Sequence, residues 1–372
     1  MATSGDEVVV NGPVPLAGGS AAPPSVAHDV ALLDLDGVVY VGPDAVPGAP
    51  AALAAARAAG MTLGFVTNNA SRTSQVVADH LTELGVPARS ADVITSAQAA
   101  ATVVVQRFGA GARVLAVGGP GVAAALRAAG LTIVGRAEDQ PHAVVQGYGP
   151  QVGWAQLAEA VVAVRGGARH VATNTDATVP SPRGPLPGNG ALVGIVSAVT
   201  GQLPLVTGKP DPAMHAECLR RTGARRPLVV GDRLDTDIEG ARRAGAPSLL
   251  VLSGVTDPVQ LLAAPPEHRP DLLAPDVTGL LVGHPAVHPE PSGVRCGTWS
   301  VLVADGTGDL LLRRAEHAGA PTGDGLDGLR ALCVAHWSRH PAAGVPARVR
   351  AVGAEAGAAL ADWGLAPAEA KG

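Results

Sequence analysis

From His28 onward, short apolar runs alternate with alanine-rich stretches of helical period, and no other feature restricts the possible folds as strongly. Asp29 to Asp34 is an apolar run suited to a buried strand. After a Gly/Pro loop, Ala49 to Ala59 has helical character and stops at Gly60. Met61 to Thr67 repeats the strand pattern, and Ser74 to Leu84 reads as a helix closed by Gly85. Strand, helix, strand, helix with short loops predicts an α/β protein built on a doubly wound parallel sheet. In such sheets ligands lie beyond the carboxyl ends of the strands.

The alternation continues. Helices are expected near 97–108, 122–129, 153–164, 191–199, 212–221 and 237–244. Strands are expected at 113–117, near Thr132 and Ala143, and at 170–173, 205–206, 227–230 and 248–252. This is more than one compact sheet accommodates, so two α/β units are predicted. Residues 1–27, rich in Gly, Ala, Pro and Ser, read as a flexible tail, and the proline-rich run 284–291 as an extended linker. His284 and His288 lie four apart, but proline forbids the helix that would pair them as metal ligands. Residues 292–372 then form a small α+β accessory module. It is expected to hold a hairpin across Asp305-Gly306, flanked by Thr298–Val303 and Leu310–Arg313, and a helix over 326–337.

Composition excludes several classes. A chain of 372 residues with 47% hydrophobic residues has ample core for two or three domains. Its net charge of −5 provides no basic excess for nucleic acid or anionic lipid. Three cysteines without C-x-x-C spacing argue against a disulfide framework or zinc knuckle and fit a reducing, cytoplasmic setting. Asp6 and Glu7 stand where a signal peptide carries Lys or Arg, so export is not expected. The uncharged span from Gly184 to Gly208 is broken by Pro185, Pro187 and Pro204 and is rejected as a membrane helix.

Four strand tips carry polar chemistry. Asp34-Leu-Asp36-Gly37 ends the first strand, and alternation sends both carboxylates to the same side. Alone, this also reads as a polar turn. Thr67-Asn68-Asn69 ends the second strand with groups able to hold a phosphate oxygen or to form an Asx turn. Lys209 follows the strand 205–206. Of the 27 basic residues only it and Lys371 are lysine, so this position asks for a compact cation rather than a guanidinium fork. Asp232, with Asp237 five residues on, ends the next strand. Acid, polar, lysine and acid in order suit phosphoryl transfer. Asp34 is the expected nucleophile and Mg²⁺ ligand. Asp36 is the expected general acid and base, with its backbone carbonyl toward the metal, and Asp232 completes the ligands with Asp237 behind them. Thr67, Asn68, Asn69 and Lys209 would stabilise phosphoryl charge.

These motifs, D-L-D-G-V-V-Y, T-N-N, G-K-P and G-D-R-L-D-T-D-I, resemble those of haloacid dehalogenase superfamily phosphatases. The likeness is to the branch with a C2-type cap that includes NagD-like, phosphoglycolate and 4-nitrophenyl phosphatases. The resemblance implies a catalytic core of residues 28–93 and 204–283 with an α/β cap, 94–203, inserted between the second and third motifs. It also implies that Asn174 and Asp176, with Pro187-Gly-Asn-Gly190, face the site. Residues 146–150 depart from the more charged pattern of relatives. The C-terminal module resembles extensions of actinobacterial members, which implies an acetyltransferase-like fold. Residues 292–372 hold no glycine-rich pyrophosphate loop, so the module is read as a packing or homo-oligomerisation element. The expected substrate is a small phosphorylated metabolite. Asn174 and Asp176 suit hydroxyl groups, and the actinobacterial likeness tilts the choice to glycerol 3-phosphate. Phosphoglycolate, 4-nitrophenyl phosphate and nucleotide or sugar phosphates are the alternatives. A rival of another class, an NAD-binding oxidoreductase, rests on Gly119-Pro-Gly121-Val-Ala-Ala124, which opens a helix after a strand and has Glu138 further on.

Overall fold

The computed structural model describes residues 14–179, 181, 183–315 and 323–365. Its first sheet has six parallel strands in the spatial order Leu272–Ala274, Ser248–Val251, Pro227–Gly231, Val30–Leu33, Thr62–Thr67 and Val93–Thr95. Val30–Leu33 is buried along its whole length, as a strand covered on both faces must be. From it the chain winds one way through Thr62–Thr67 to Val93–Thr95 and later returns on the other side at Pro227–Gly231. That reversal makes the tip of Val30–Leu33, where Asp34 stands, the topological switch point of the sheet.

The second sheet is the inserted unit. Its five strands, Leu205–Val206, Arg169–Ala172, Ala143–Gln146, Arg113–Val117 and Thr132–Val134, are parallel and lie in that order. Two boundaries differ from those expected. Leu205–Val206 pairs with Val171 and Ala172 and so belongs to the cap, while Ile94 and Thr95 pair with Val66 and Thr67 in the core. Pairing partners, not local composition, decide membership of a sheet, and these strands are only two and three residues long.

The third sheet, residues 288–352, runs in chain order through His288–Glu290, Gly293–Cys296, Trp299–Val303, Leu310–Arg314 and Val349–Val352. It is antiparallel except for its last pair. The predicted hairpin pairs Val303 with Leu310, and the predicted helix is found at Asp327–Arg339. Nothing here behaves as a spacer. His284 is buried, bridged to Ser20, and Val287 enters the same apolar cluster as Leu16. The tail expectation is therefore corrected for residues 14–27, which include the short helix Pro24–Ala27. Residues 1–13 lie outside the described residues.

The cause is a shared core. Leu250, Leu262 and Leu273 of the first unit pack with Trp299, Leu329 and Trp337 of the module. Arg330, 1% exposed, donates to the Leu273 carbonyl and to Asp324, and the Trp337 indole N–H donates to the Leu262 carbonyl at 3.1 Å. Arg269 donates to the His340 and Ala343 carbonyls and lies 5.4 Å from the Trp337 ring centre. Trp337→Ala is expected to cost about 3–5 kcal/mol in chemical denaturation, because a large cavity would open between the two units. A cost below about 1 kcal/mol would show that they do not share one core.

Among the described residues no helix is long and apolar enough to cross a membrane. Gly184 to Gly208 forms instead the loop and helix Asn189–Thr200 beside the site, followed by the cap's edge strand.

Candidate active site

Asp34 and Asp232 follow two neighbouring strands of the core sheet, Lys209 follows the cap's edge strand, and the three converge. The Lys209 ammonium donates to Asp34 Oδ1 at 2.5 Å and to Asp237 Oδ1 at 2.6 Å. Asp34, Asp232 and Asp237 each offer an oxygen within 4.8 Å of the others. Asp237, expected behind the ligands, thus stands inside the cluster. The carboxylate of Asp36 is outside it, so a metal contact from Asp36 would rest on its main-chain carbonyl.

Local backbone explains the convergence. Leu234–Ile238 is a π-type turn in which the Ile238 N–H donates to the Arg233 carbonyl, and the wide turn swings Asp237 back over Gly231. A Cβ on Gly231 would stand 2.2 Å from that of Asp237, so only glycine allows the approach. Gly254 does the same for Asp232, whose Oδ2 accepts from the Val255 N–H at 2.7 Å.

Three carboxylates face one ammonium. Burial, more than the neighbouring Asp237, pushes Asp232 up to about 6. Burial also pushes Asp237 up to about 6 against the pull of Lys209. Asp34 is raised by burial despite Lys209. Lys209 itself is raised, since the Asp237 and Asp34 carboxylates outweigh the burial that disfavours its charge. Asp36 reaches solvent at the cavity mouth, yet the surrounding protein raises it more than Arg72 and Lys209 lower it. Asp232 Oδ1, on a side chain 1% exposed, has no hydrogen-bond partner. An orphaned buried oxygen beside two more carboxylates fits a hard divalent cation.

Asp34, Lys209 and Asp232 floor a cavity of about 460 Å³ roofed by the cap residues Tyr148, Asn174, Asp176 and Thr178. Asp176 is raised by burial, against Arg233 and Lys209, and its N–H donates to Asn174 Oδ1 at 3.2 Å. Their loop is braced by the segment that follows it. The Gly188 and Gly190 N–H groups donate to the Ala177 and Asp176 carbonyls, and Asn189 Nδ2 donates to the Asn174 carbonyl at 2.7 Å.

The T-N-N segment divides its roles. Thr67 lines the cavity, and its hydroxyl accepts from the Asn69 N–H. Asn69 Oδ1 takes both the N–H and the hydroxyl of Ser71, the Asx-type turn of the alternative reading. The Asn68 carboxamide bonds the main chain of Lys209 at both ends. Sequence reasoning missed Arg233 and Tyr148. The first follows a motif aspartate, and the second lies in the 146–150 stretch that departs from the family pattern.

The dinucleotide reading fails on space. A Cβ at Gly121 would stand 2.2 Å from the Arg72 carbonyl oxygen, and one at Gly119 2.7 Å from that of Ser71. The Gly121 N–H donates to the Ser71 carbonyl. These glycines let the cap press on the core loop, which leaves no opening there for a pyrophosphate.

A parallel sheet with an aspartate at its switch point, a lysine and two aspartates around it, and an inserted α/β roof defines a phosphoryl-processing hydrolase. The chain belongs to the haloacid dehalogenase-like hydrolases, whose profiles match residues 31–132 and 206–280. A GCN5-related N-acetyltransferase-like profile matches 296–365.

Over 342 residues the chain is 43% identical to the D-glycerol 3-phosphate phosphatase of Mycobacterium tuberculosis, covering 91% of this chain and 94% of that one. A crystal structure of a glycerol phosphate phosphatase from that organism, in complex with calcium, superposes with a TM-score of 0.84 at 42% identity. That match covers 93% of this chain and all of the other, and a second such structure holds magnesium. The p-nitrophenyl phosphatase of Archaeoglobus fulgidus matches at 27% identity and a TM-score of 0.64, covering 68% of this chain and 98% of its own. Both the C2-capped core and the C-terminal sheet module are thus shared with a solved relative.

Proposed function

We propose that the protein is a Mg²⁺-dependent phosphomonoesterase acting on glycerol 3-phosphate through an aspartyl-phosphate on Asp34. The observation that carries this reading is the pairing of Asp34 with Lys209 beside the unsatisfied Asp232 oxygen, at the floor of a cap-covered cavity. Asp34 and Asp232 would hold Mg²⁺, which offsets the negative charge that otherwise sets the nucleophile and the phosphoryl oxygens against each other. Asp34 attacks phosphorus as the bond to the leaving oxygen breaks. Asp36, its acid form favoured by its surroundings, gives its proton to the leaving alkoxide. Asp36 then takes a proton from the water that attacks the aspartyl-phosphate, which releases phosphate and restores Asp34. Lys209 and Thr67 hold the equatorial charge throughout.

The leaving group meets Asn174 and Asp176 in the cavity roof. The Asn174 amide is held by the Asn68 carbonyl and the Asp176 N–H, so the contact left for the leaving group is Asp176, a carboxylate that accepts from hydroxyl groups and repels another carboxylate. This favours a polyol over glycolate, and the M. tuberculosis relative points to the same substrate. Phosphate release is expected to stop with EDTA and return with Mg²⁺, with kcat/KM for glycerol 3-phosphate at least about tenfold above that for phosphoglycolate. A tenfold preference for phosphoglycolate, or turnover without divalent metal, would overturn the assignment.

A further inference from the structure

Asn68 stands where three chain segments cross, and its carboxamide is not free for a phosphate. Its Oδ1 accepts from the Lys209 N–H at 2.8 Å, and its Nδ2 donates to the Lys209 carbonyl at 3.1 Å and to Asp176 Oδ1 of the cap loop at 3.5 Å. The orientation of the amide is forced, because the Lys209 main chain presents one donor and one acceptor. The main-chain carbonyl of Asn68 is also taken. It accepts from Asn174 Nδ2 of the cap loop at 2.7 Å and from the Ser96 hydroxyl, where the chain enters the cap, at 2.6 Å. Gly208, where the chain leaves the cap, completes the crossing, since a Cβ there would stand 2.6 Å from Asn68 Oδ1 and 2.3 Å from the Thr173 carbonyl oxygen.

We propose that Asn68 is a positioning residue that sets the catalytic lysine and ties it to the cap, rather than a side-chain ligand of phosphate. The two-point clip fixes the Lys209 main chain against the tip of Thr62–Thr67, and the ammonium then reaches Asp34 and Asp237 together. The same residue binds Asn174, so the loop that roofs the cavity and the lysine that floors it share one support. For the reaction this inference rests on the phosphatase reading, but the geometry of the clip does not.

The chain has only two lysines, Lys209 and Lys371, so protein labelled with ¹³C at lysine Cε shows two side-chain signals and reports directly on Lys209. In metal-free Asn68→Ala the Lys209 signal is expected to move from its wild-type position. With Mg²⁺, kcat on 4-nitrophenyl phosphate is expected to fall about tenfold or more, since small misplacements of catalytic groups are costly. Asn68→Asp is isosteric and turns the Nδ2 donor into an acceptor facing the Lys209 carbonyl. It carries the same expectation if the alanine variant does not fold. An unmoved Lys209 signal would overturn the proposal, and an inhibition constant for inorganic phosphate raised about tenfold beside it would make Asn68 a phosphate ligand. If the wild type hydrolyses no phosphomonoester, the phosphatase reading fails, and the lysine signal alone decides the role of Asn68.

Discussion

Asp34→Asn is expected to lower kcat by at least about 10⁴-fold while leaving the protein folded, because removal of a nucleophile removes the reaction path itself. The carboxamide has the size of the carboxylate it replaces, and its oxygen still accepts from the Lys209 ammonium. It also takes one negative charge out of a buried cluster in which three carboxylates face a single ammonium. Burial already raises Asp34, and Asp232 raises it further, so the thermal midpoint of the metal-free variant should equal or exceed that of the wild type. Phosphate release and a thermal melt on the same preparation check both halves. Turnover within about tenfold of wild type would remove Asp34 from the chemistry.

Lys209→Arg is expected to cost about 10²–10³-fold in kcat with the fold retained. The ammonium lies between Asp34 and Asp237 at 2.5 and 2.6 Å, a gap matched to a point charge on a flexible stem. A planar guanidinium is wider, and the space behind the lysine, lined by Met214, Cys218 and Gly240, is only about 30 Å³. Removing the charge altogether should act on stability as well. Lys209→Met deprives two buried carboxylates, Asp34 and Asp237, of the cation they share, and is expected to cost about 3–5 kcal/mol in denaturant titrations of the metal-free protein. Wild-type kinetics in Lys209→Arg would mean that the lysine is not part of the site.

The switch-point chemistry is legible in the sequence because it is local. Asp34, Thr67 and Asp232 stand at the ends of apolar runs and Lys209 three residues after one, so period and composition single them out without knowledge of the tertiary fold. What is not legible depends on contacts between distant segments. Asn68 and Lys209 are 141 residues apart, and nothing in T-N-N shows that the carboxamide meets main chain instead of ligand. The entry of Asp237 into the cluster depends on a π-type turn, which a five-residue spacing does not distinguish from an α-helical one. The prolines of 284–291 exclude a helix, but the place of that run is set elsewhere, by the apolar face around Leu250 and Leu273 that the C-terminal module must cover. Short edge strands such as Val93–Thr95 and Leu272–Ala274 carry too few residues to show a period.

The steric course at phosphorus tests the central claim most directly. Transfer to Asp34 and then to water comprises two in-line displacements, each of which inverts the phosphorus centre. With a substrate made chiral at phosphorus by oxygen isotopes and sulfur, the thiophosphate released by the wild-type enzyme is predicted to show overall retention of configuration. Overall inversion would mean that water attacks the substrate in a single step, and would contradict an aspartyl-phosphate on Asp34.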